Sequence, residues 1–174
     1  MMERIEEMRL SAEYERQIAE MLVRAFQEDF GGRSYHKQRH HLRLVWREDG
    51  QIVGHMALCF RDIRLGEALV PIVGLAEVST DPAYRGRGIA SGLMRAAVDE
   101  ARATLANFFV LFGDRPLYAA SGFVPHRNRL TYVGMDHAHT GAVDTKVDDG
   151  LMVLPLTDMA WEPRAEVDLL GHLF

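Results

Sequence analysis

The chain has 174 residues and is 48% hydrophobic, which suits one domain with a well-formed core. Its net charge of −5 makes nucleic acid an unfavourable partner, and no apolar run approaches the roughly 20 residues of a membrane span. The charged start lacks the apolar segment of a signal peptide, so we expect a cytoplasmic protein. The single cysteine, Cys59, lies in an apolar run and is expected to be a buried thiol.

In chain order, apolar periodicity predicts a helix, an antiparallel run of three strands, and then a strand-helix crossover. Residues 31–40 are predicted to form a loop with a short helix, and residues 136–150 a long polar excursion. Neither repeats nor linkers divide the chain, so residues 1–174 are predicted to form one mixed α/β domain. The predicted helices cover residues 12–28, 88–104 and 114–121, and the predicted strands cover residues 42–46, 52–60, 68–80, 108–112, 130–135 and 151–156.

A loop rich in glycine and arginine follows the predicted strand that ends at Thr80. Gly86 and Gly88 lack a Cβ, so their backbone N–H groups can approach phosphate oxygens closely. The following helix adds the partial positive charge of its N-terminus, and Arg85 and Arg87 add formal charge. The segment therefore predicts a pyrophosphate-binding loop.

Glycine spacing separates three kinds of phosphate loop. A Walker loop needs Lys-Ser/Thr after its last glycine, where this chain has Ile89-Ala90. A Rossmann fingerprint needs G-x-G-x-x-G, whereas the third glycine here, Gly92, comes one position too late. The run from Arg85 to Ala90 fits [Q/R]-x-x-G-x-[G/A], and so it resembles the acyl-CoA loop of the GCN5-related N-acetyltransferases (GNAT superfamily).

A second motif strengthens this resemblance. Tyr118 to Phe123 is similar to the Tyr-x-x-x-Gly-Phe ending of that superfamily and begins 33 residues after Arg85. The resemblance implies a single-domain GNAT fold, with a mixed, mostly antiparallel sheet of about six or seven strands flanked by helices. It also implies acetyl transfer from acetyl-CoA to an amine, with no metal.

The resemblance further implies a role for individual residues. Tyr118 would be the general acid that protonates the departing thiolate, although a purely packing role for this ring stays open. Glu77 is the best candidate for the base, acting directly or through water. The acetyl-CoA site would combine the backbone of Val78, Ser79 and Thr80, at a gap where the third strand splays, with the loop residues Arg85, Gly86, Arg87, Gly88, Ile89 and Ala90.

Over nearly its full length the chain looks like the aminoglycoside 2′-N-acetyltransferases. The matching segments include Ala25 to Phe30, Leu117 to Phe123 and Asp148 to Pro155. Those enzymes hold a polycationic drug with carboxylates, which implies an aminoglycoside-like or other cationic amine as acceptor. The residues predicted to bind the acceptor are Asp29, Asp148, Asp149 and Phe174.

The chain departs from that family at three places that bear on the acceptor. Ser34 replaces a second aspartate, and the final residues include Phe174 where the family has Asp-x-Trp. The family's strand glutamate falls at Ala76, one residue before Glu77. A shift of one residue turns a side chain to the opposite face of a sheet unless a bulge absorbs it.

Two other functions stay open: a long-chain N-acyltransferase of the nodulation type, and a CoA-binding or sensing module without turnover. The retention of Tyr118 and Glu77 favours an enzyme. The histidines at positions 36, 40, 41, 137 and 139 lack metal-ligand spacing and are expected to be solvated, and a solvated face is also expected for Arg33, Arg39 and Arg43. A homodimer is a further expectation, since members of the superfamily are often dimers.

Overall fold

In the computed structural model, residues 1–136 and 138–174 are described, and they form three α-helices and one sheet of ten strands. The helices are α1 (Ala12–Phe26), α2 (Ile89–Arg102) and α3 (Pro116–Ala120). The strands are β1 (Met2–Glu6), β2 (Leu42–Glu48), β3 (Gln51–Leu65), β4 (Ala68–Thr80), β5 (Phe108–Phe112), β6 (Val124–Pro125), β7 (Arg129–Asp136), β8 (His139–Val147), β9 (Leu151–Pro155) and β10 (Val167–Asp168).

The two long helices cover opposite faces of the sheet. Helix α1 begins after Ser11, whose hydroxyl accepts a hydrogen bond from Tyr14 N–H at 3.2 Å, and it packs with Val45 and Ile52. Helix α2 packs against residues on the opposite face of the same strands, including Leu44. Because side chains alternate along a strand, each long helix closes its own apolar layer.

The strand order is β6-β9-β5-β4-β3-β10-β7-β8, with β1 and β2 attached at β3. Most neighbours are antiparallel, and the parallel pairs are β7 with β10 and β4 with β5. Strands β4 and β5 pair only from Ile72–Phe108 to Leu75–Leu111. Strand β4 continues without β5 as far as Thr80. The sheet therefore opens beyond Leu75, as the superfamily resemblance implies.

A bulge interrupts β4 within this unpaired part. Ser79 pairs with His55 of β3, whereas the next recorded pair joins Ala76 to Ala57. Two residues of β4 thus lie opposite one residue of β3, and the first of them, Glu77, has a φ of 50°. A bulge at this place can absorb the one-residue offset between Glu77 and the family's strand glutamate, which falls at Ala76.

The mixed fold and the bounds of β4 and β5 agree with the predictions, but three expectations are wrong. Residues 31–40 contain turns and bends without the expected helix. The polar excursion is largely β8, which pairs with β7 in an antiparallel hairpin. The described sheet also has more strands than six or seven. The four additional strands are β6 and β10, which have two residues each, and β1 and β8, which bury no residue. Such strands leave no apolar periodicity to detect.

Candidate active site

The glycine loop before α2 forms one wall of a cleft of about 270 Å³. Gly86 and Gly88 both have a φ of 78°, and a Cβ at either position would meet no atom of the described residues within 4 Å. Backbone conformation, rather than crowding, is therefore what favours glycine here. Gly88 is also the N-cap of α2, and within the described chain no side chain caps this helix end, which leaves its first amides able to bind an anion.

Six of the predicted cofactor-binding residues line this cleft: Thr80, Arg85, Gly86, Gly88, Ile89 and Ala90. The other three do not line it. The Arg87 guanidinium stacks on the Tyr84 ring at 4.8 Å and lies 3.5 Å from a carboxylate oxygen of Glu48. The Val78 side chain packs on the core, and the buried Ser79 hydroxyl donates to the backbone carbonyl of Glu77. The predicted contribution of Val78 and Ser79, through the backbone, stays a prediction.

Tyr118 lies on the β5 side of the opening in the sheet. Its ring is buried and fits against Gly113, the residue after β5, where a Cβ would come within 2.7 Å of Tyr118 Cε2. Burial and the nearby charge of Asp114 raise the pKa of Tyr118, while the charge of Arg115 works in the opposite direction. The phenol therefore keeps its proton at neutral pH, as a general acid must before it acts.

A second cavity, of about 280 Å³, lies on the β4 side of the opening, and we call it the tail pocket because residues 172–174 form part of its wall. Three aromatic rings line it, those of Phe26, Phe30 and Phe174. Phe174 lies over Gly74 of β4, where a Cβ would come within 2.7 Å of its ring. Glu77 also lines the tail pocket, next to Ala76, because the bulge breaks the regular alternation of side chains along β4.

The Glu77 carboxylate is mostly buried and has three close partners. It accepts from His36 N–H at 2.6 Å, lies 3.1 Å from His40 Nε2, and lies 3.4 Å from an Arg43 guanidinium nitrogen. Burial works to raise the pKa of Glu77, but the hydrogen bond and charge of His40 outweigh it and lower the pKa below its ordinary value. Glu77 is therefore ionised at neutral pH.

Behind Glu77, His40 links this carboxylate to Cys59. The Nδ1 atom of His40 lies 3.0 Å from Cys59 Sγ, while its Nε2 atom faces Glu77. Burial opposes a charge on His40, yet its two partners raise its pKa to about 9. Burial likewise opposes a thiolate, but His40 and His41 lower the pKa of Cys59 to about 7. Glu77, His40 and Cys59 therefore form a continuous chain of polar contacts beneath the tail pocket, with the protonated His40 between the other two.

Arg43 and His55 complete this buried network. The fully buried Arg43 binds Glu7 at 2.6 Å and also donates to His55 Nε2, at 3.1 Å. Because that nitrogen accepts, the proton of His55 is on Nδ1, which donates to the Glu77 carbonyl at 3.1 Å. Burial, together with the charge of Arg43, lowers the pKa of His55 to about 3, so its ring is neutral.

The carboxylates predicted to bind the acceptor do not line the tail pocket. Asp29 accepts from Gly32 N–H at 2.9 Å, Asp148 pairs with Lys146 at 2.7 Å, and Asp149 pairs with Arg127 at 3.0 Å. Phe174 alone of the predicted acceptor residues is found there. Ser34, at the position of the family's second aspartate, is buried and accepts from Arg43.

Sequence reasoning missed the roles of His40, Arg43 and Cys59. The expectation of a solvated side chain is wrong for His40 and for Arg43, whereas the buried thiol of Cys59 is confirmed. One signal could have found Arg43, since an arginine within the apolar run of β2 needs a buried partner. His40 and Cys59 left no such signal, because their contact depends on how the loop folds back over β3.

Other features of the described residues bear on function. Across residues 1–136 and 138–174, no group of three or more His, Cys, Asp or Glu side chains is arranged to hold a metal ion; the candidate His137 lies outside the described residues. None of the helices found in the described part of the chain is long and apolar enough to cross a membrane.

Comparison with known proteins adds independent findings. Residues 7–125 match the family model of the acetyltransferase (GNAT) domain. The chain is 32% identical over 142 residues to the uncharacterized N-acetyltransferase YhbS of Escherichia coli K12, covering 77% of this chain and 83% of that protein.

Solved structures resemble the fold as well. The Escherichia coli YhbS structure in complex with CoA superimposes with a TM-score of 0.70 at 23% identity, covering 97% of this chain and 88% of that one. A GNAT family acetyltransferase from Brucella melitensis in complex with acetyl-CoA gives a TM-score of 0.60 at 24% identity, covering 96% and 94%. With the matched family model and the YhbS relative, these findings show that the chain belongs to the GNAT family of N-acetyltransferases.

Proposed function

We propose that this protein transfers an acetyl group from acetyl-CoA to the primary amine of a small acceptor, by direct attack of the amine on the thioester. One observation carries the proposal. The part of β4 that is not paired with β5 contributes to both cavities, since Thr80 lines the loop cleft and Glu77 lines the tail pocket. A donor and an acceptor bound in the two cavities would meet at this strand.

The loop cleft fits the pyrophosphate of a CoA thioester. The first amides of α2, the left-handed glycines and the Arg85 guanidinium all suit an anion. Ser91 lines both this cleft and a groove of about 440 Å³ between α2 and α3, where Arg95 and Arg102 add positive charge. That groove would take the distal, phosphorylated part of the same molecule. The proposal is supported further by the CoA and acetyl-CoA complexes of the two similar proteins.

The acceptor enters as an ammonium and has to lose a proton before it can attack. In the proposed mechanism Glu77 accepts that proton, directly or through water, because it is ionised and faces the tail pocket. Tyr118, on the other side of the opening, keeps its own proton and gives it to the departing thiolate. Both roles are proposals for these residues.

The family resemblance also predicts a polycationic, aminoglycoside-like acceptor, which the geometry does not favour. Asp29 and Asp149 are exposed and engaged in local contacts, and Asp148 is paired with Lys146. None of the three lines the tail pocket among its described residues. An acceptor that fits between aromatic rings agrees better with this geometry.

Two measurements test the proposal. Titration calorimetry with acetyl-CoA and palmitoyl-CoA should show tight binding of the shorter donor. Clear preference for palmitoyl-CoA would instead support a long-chain acyltransferase. Release of the CoA thiol should then be followed over a panel of primary amines. Binding of acetyl-CoA with no turnover of any amine would support a sensing module and overturn the enzymatic proposal.

A further inference from the structure

The tail pocket carries positive charge on the wall formed by residues 172–174. Lys37 lines it, and its ammonium donates to the Leu173 carbonyl at 3.3 Å. No carboxylate of the described residues forms an ion pair with Lys37. Burial and the charges of Lys146 and Arg61 lower the pKa of Lys37, although Asp148 has a smaller effect in the other direction.

A second cation lies behind the same wall. The guanidinium of Arg61 stacks on the Phe174 ring at 4.7 Å and donates to the His172 carbonyl at 2.5 Å. Burial and the charges of Arg61, Lys37 and His40 lower the pKa of His172 to about 4. The positive charges of Arg61, Lys37 and His40 therefore disfavour a further charge on His172, whose ring stays neutral at physiological pH.

The acidic residues of the pocket do not balance this charge. Glu77 is already matched by His40 and Arg43. Glu28 is the other carboxylate in the lining. Neither Glu77 nor Glu28 forms an ion pair with Lys37 or Arg61, so a carboxylate on the acceptor could pair with Lys37 at the 172–174 wall.

We propose that the acceptor is a compact amine that also bears a carboxylate, with Lys37 binding the carboxylate and Glu77 facing the amine. This inference rests on the proposed amine acetylation and names its class of substrate. The aromatic walls of Phe26, Phe30 and Phe174 would enclose the apolar part of the acceptor. An acceptor of this class makes use of both the anion and the cation of the tail pocket.

The test compares acceptors that differ only in the carboxylate. Pairs such as phenylalanine and phenethylamine, together with aliphatic amino acids and their decarboxylated amines, are assayed by release of the CoA thiol. We expect kcat/KM to be at least about tenfold higher for the acid of the preferred pair, the scale of one charge contact. In Lys37→Gln the acid should lose its advantage over the decarboxylated amine, and in Lys37→Glu the decarboxylated amine should become the better acceptor. Unchanged acetyl-CoA affinity and circular dichroism would show that both variants are folded.

Arg127→Gln is the control, because it removes one positive charge from an exposed residue that pairs with Asp149, does not line the pocket and is not among the groups that act on Lys37. It should leave the ratio as in the unmodified protein. Preference for the decarboxylated amines, or a ratio that Lys37→Glu does not change, would overturn this inference while amine acetylation still stands. Absence of turnover with every amine would overturn the proposed function and this inference with it.

Discussion

At the scale of single residues, the surroundings of Glu77 determine how its ionisation depends on pH. A carboxylate this deeply buried would ordinarily resist ionisation. His40 at 3.1 Å and the backbone N–H of His36 at 2.6 Å reverse that tendency. His40 in turn remains protonated because Cys59 lies against its other ring nitrogen. The acidity of Glu77 is therefore a property of the chain of contacts rather than of the carboxylate alone.

Replacing His40 tests this dependence. In His40→Gln, the hydrogen bond and charge that lower the pKa of Glu77 are lost while the burial remains, so that pKa should rise. As the pH is lowered, the activity that needs ionised Glu77 should therefore be lost at a higher pH than in the unmodified protein. The measurement is the pH profile of kcat/KM, whose acidic limb should move upward.

The neighbouring histidine provides the control for this experiment. His41 is exposed and acts on Cys59, but it is not among the groups that act directly on the Glu77 carboxylate. His41→Gln should therefore leave the acidic limb in place. If both variants give the same profile as the unmodified protein, Glu77 is not the ionising base.

Tyr118→Phe removes the proposed proton donor and keeps the ring that fits against Gly113. General acid catalysis is typically worth about 100-fold or more, so kcat should fall by about that factor. The affinity for acetyl-CoA, measured by calorimetry, should change little because the core packing is retained. A variant with full kcat would leave Tyr118 only a packing role.

At the scale of elements, the irregularity of strand β4 shapes the candidate site. It leaves β5 after Leu75, and its bulge then turns Glu77 into the tail pocket. Glu77 itself adopts a φ of 50°, a conformation that non-glycine residues seldom adopt. Strain of this kind persists where surrounding contacts hold it, and here Arg43 and His40 provide those contacts.

A substitution in the glycine loop before α2 tests the role of this loop. Gly88→Ala introduces a Cβ at a φ of 78°, which should lower the free energy of unfolding by about 1–2 kcal/mol. The loop should relax toward negative φ and redirect the first amides of α2, so acetyl-CoA should bind at least several-fold more weakly. Calorimetry and urea unfolding measure the two effects.

Gly50, in the turn between β2 and β3, makes a matched comparison. Its φ is 79°, and, as at Gly88, a Cβ would meet no described atom within 4 Å. Gly50→Ala should therefore be destabilised by a similar amount but bind acetyl-CoA normally. Equal loss of acetyl-CoA affinity in both variants would contradict a direct role for the loop.

At the scale of the whole molecule, two neutral histidines link folding to pH. His55 and His172 have pKa values of about 3 and about 4 in the folded protein, against an ordinary value of 6.5. Between pH 6.5 and 5 the unfolded chain binds protons on both residues, whereas the folded protein does not. The free energy of unfolding should therefore fall as the pH falls, with a slope that approaches about 1.4 kcal/mol per pH unit for each histidine.

Urea unfolding at several pH values within this window measures the slope. His172→Gln removes one of the two linked protons, so its slope should be shallower than that of the unmodified protein. His139→Gln, at an exposed position of β8, should keep the original slope. A slope that is identical in His172→Gln would mean that His172 is solvated rather than shielded.

Much of this organisation could be predicted from the sequence. The bounds of β4 and β5, the position of α2 and the short helix bearing Tyr118 follow from apolar periodicity, glycine placement and capping. The left-handed glycines of the loop also follow, since Gly86 and Gly88 occur where a strand gives way to a helix. These features depend on interactions between residues that are close together in the chain.

Only the tertiary structure determined what surrounds the predicted base and the acceptor. The chain of Glu77, His40 and Cys59 joins three separate segments, and the wall containing Phe174 and Lys37 adds a fourth, residues 172–174. Such contacts have no periodicity or spacing in the sequence, because they arise when distant segments are buried together. Local pattern thus fixed where the acetyl donor is expected to bind, while long-range packing decided which charges the acceptor would meet.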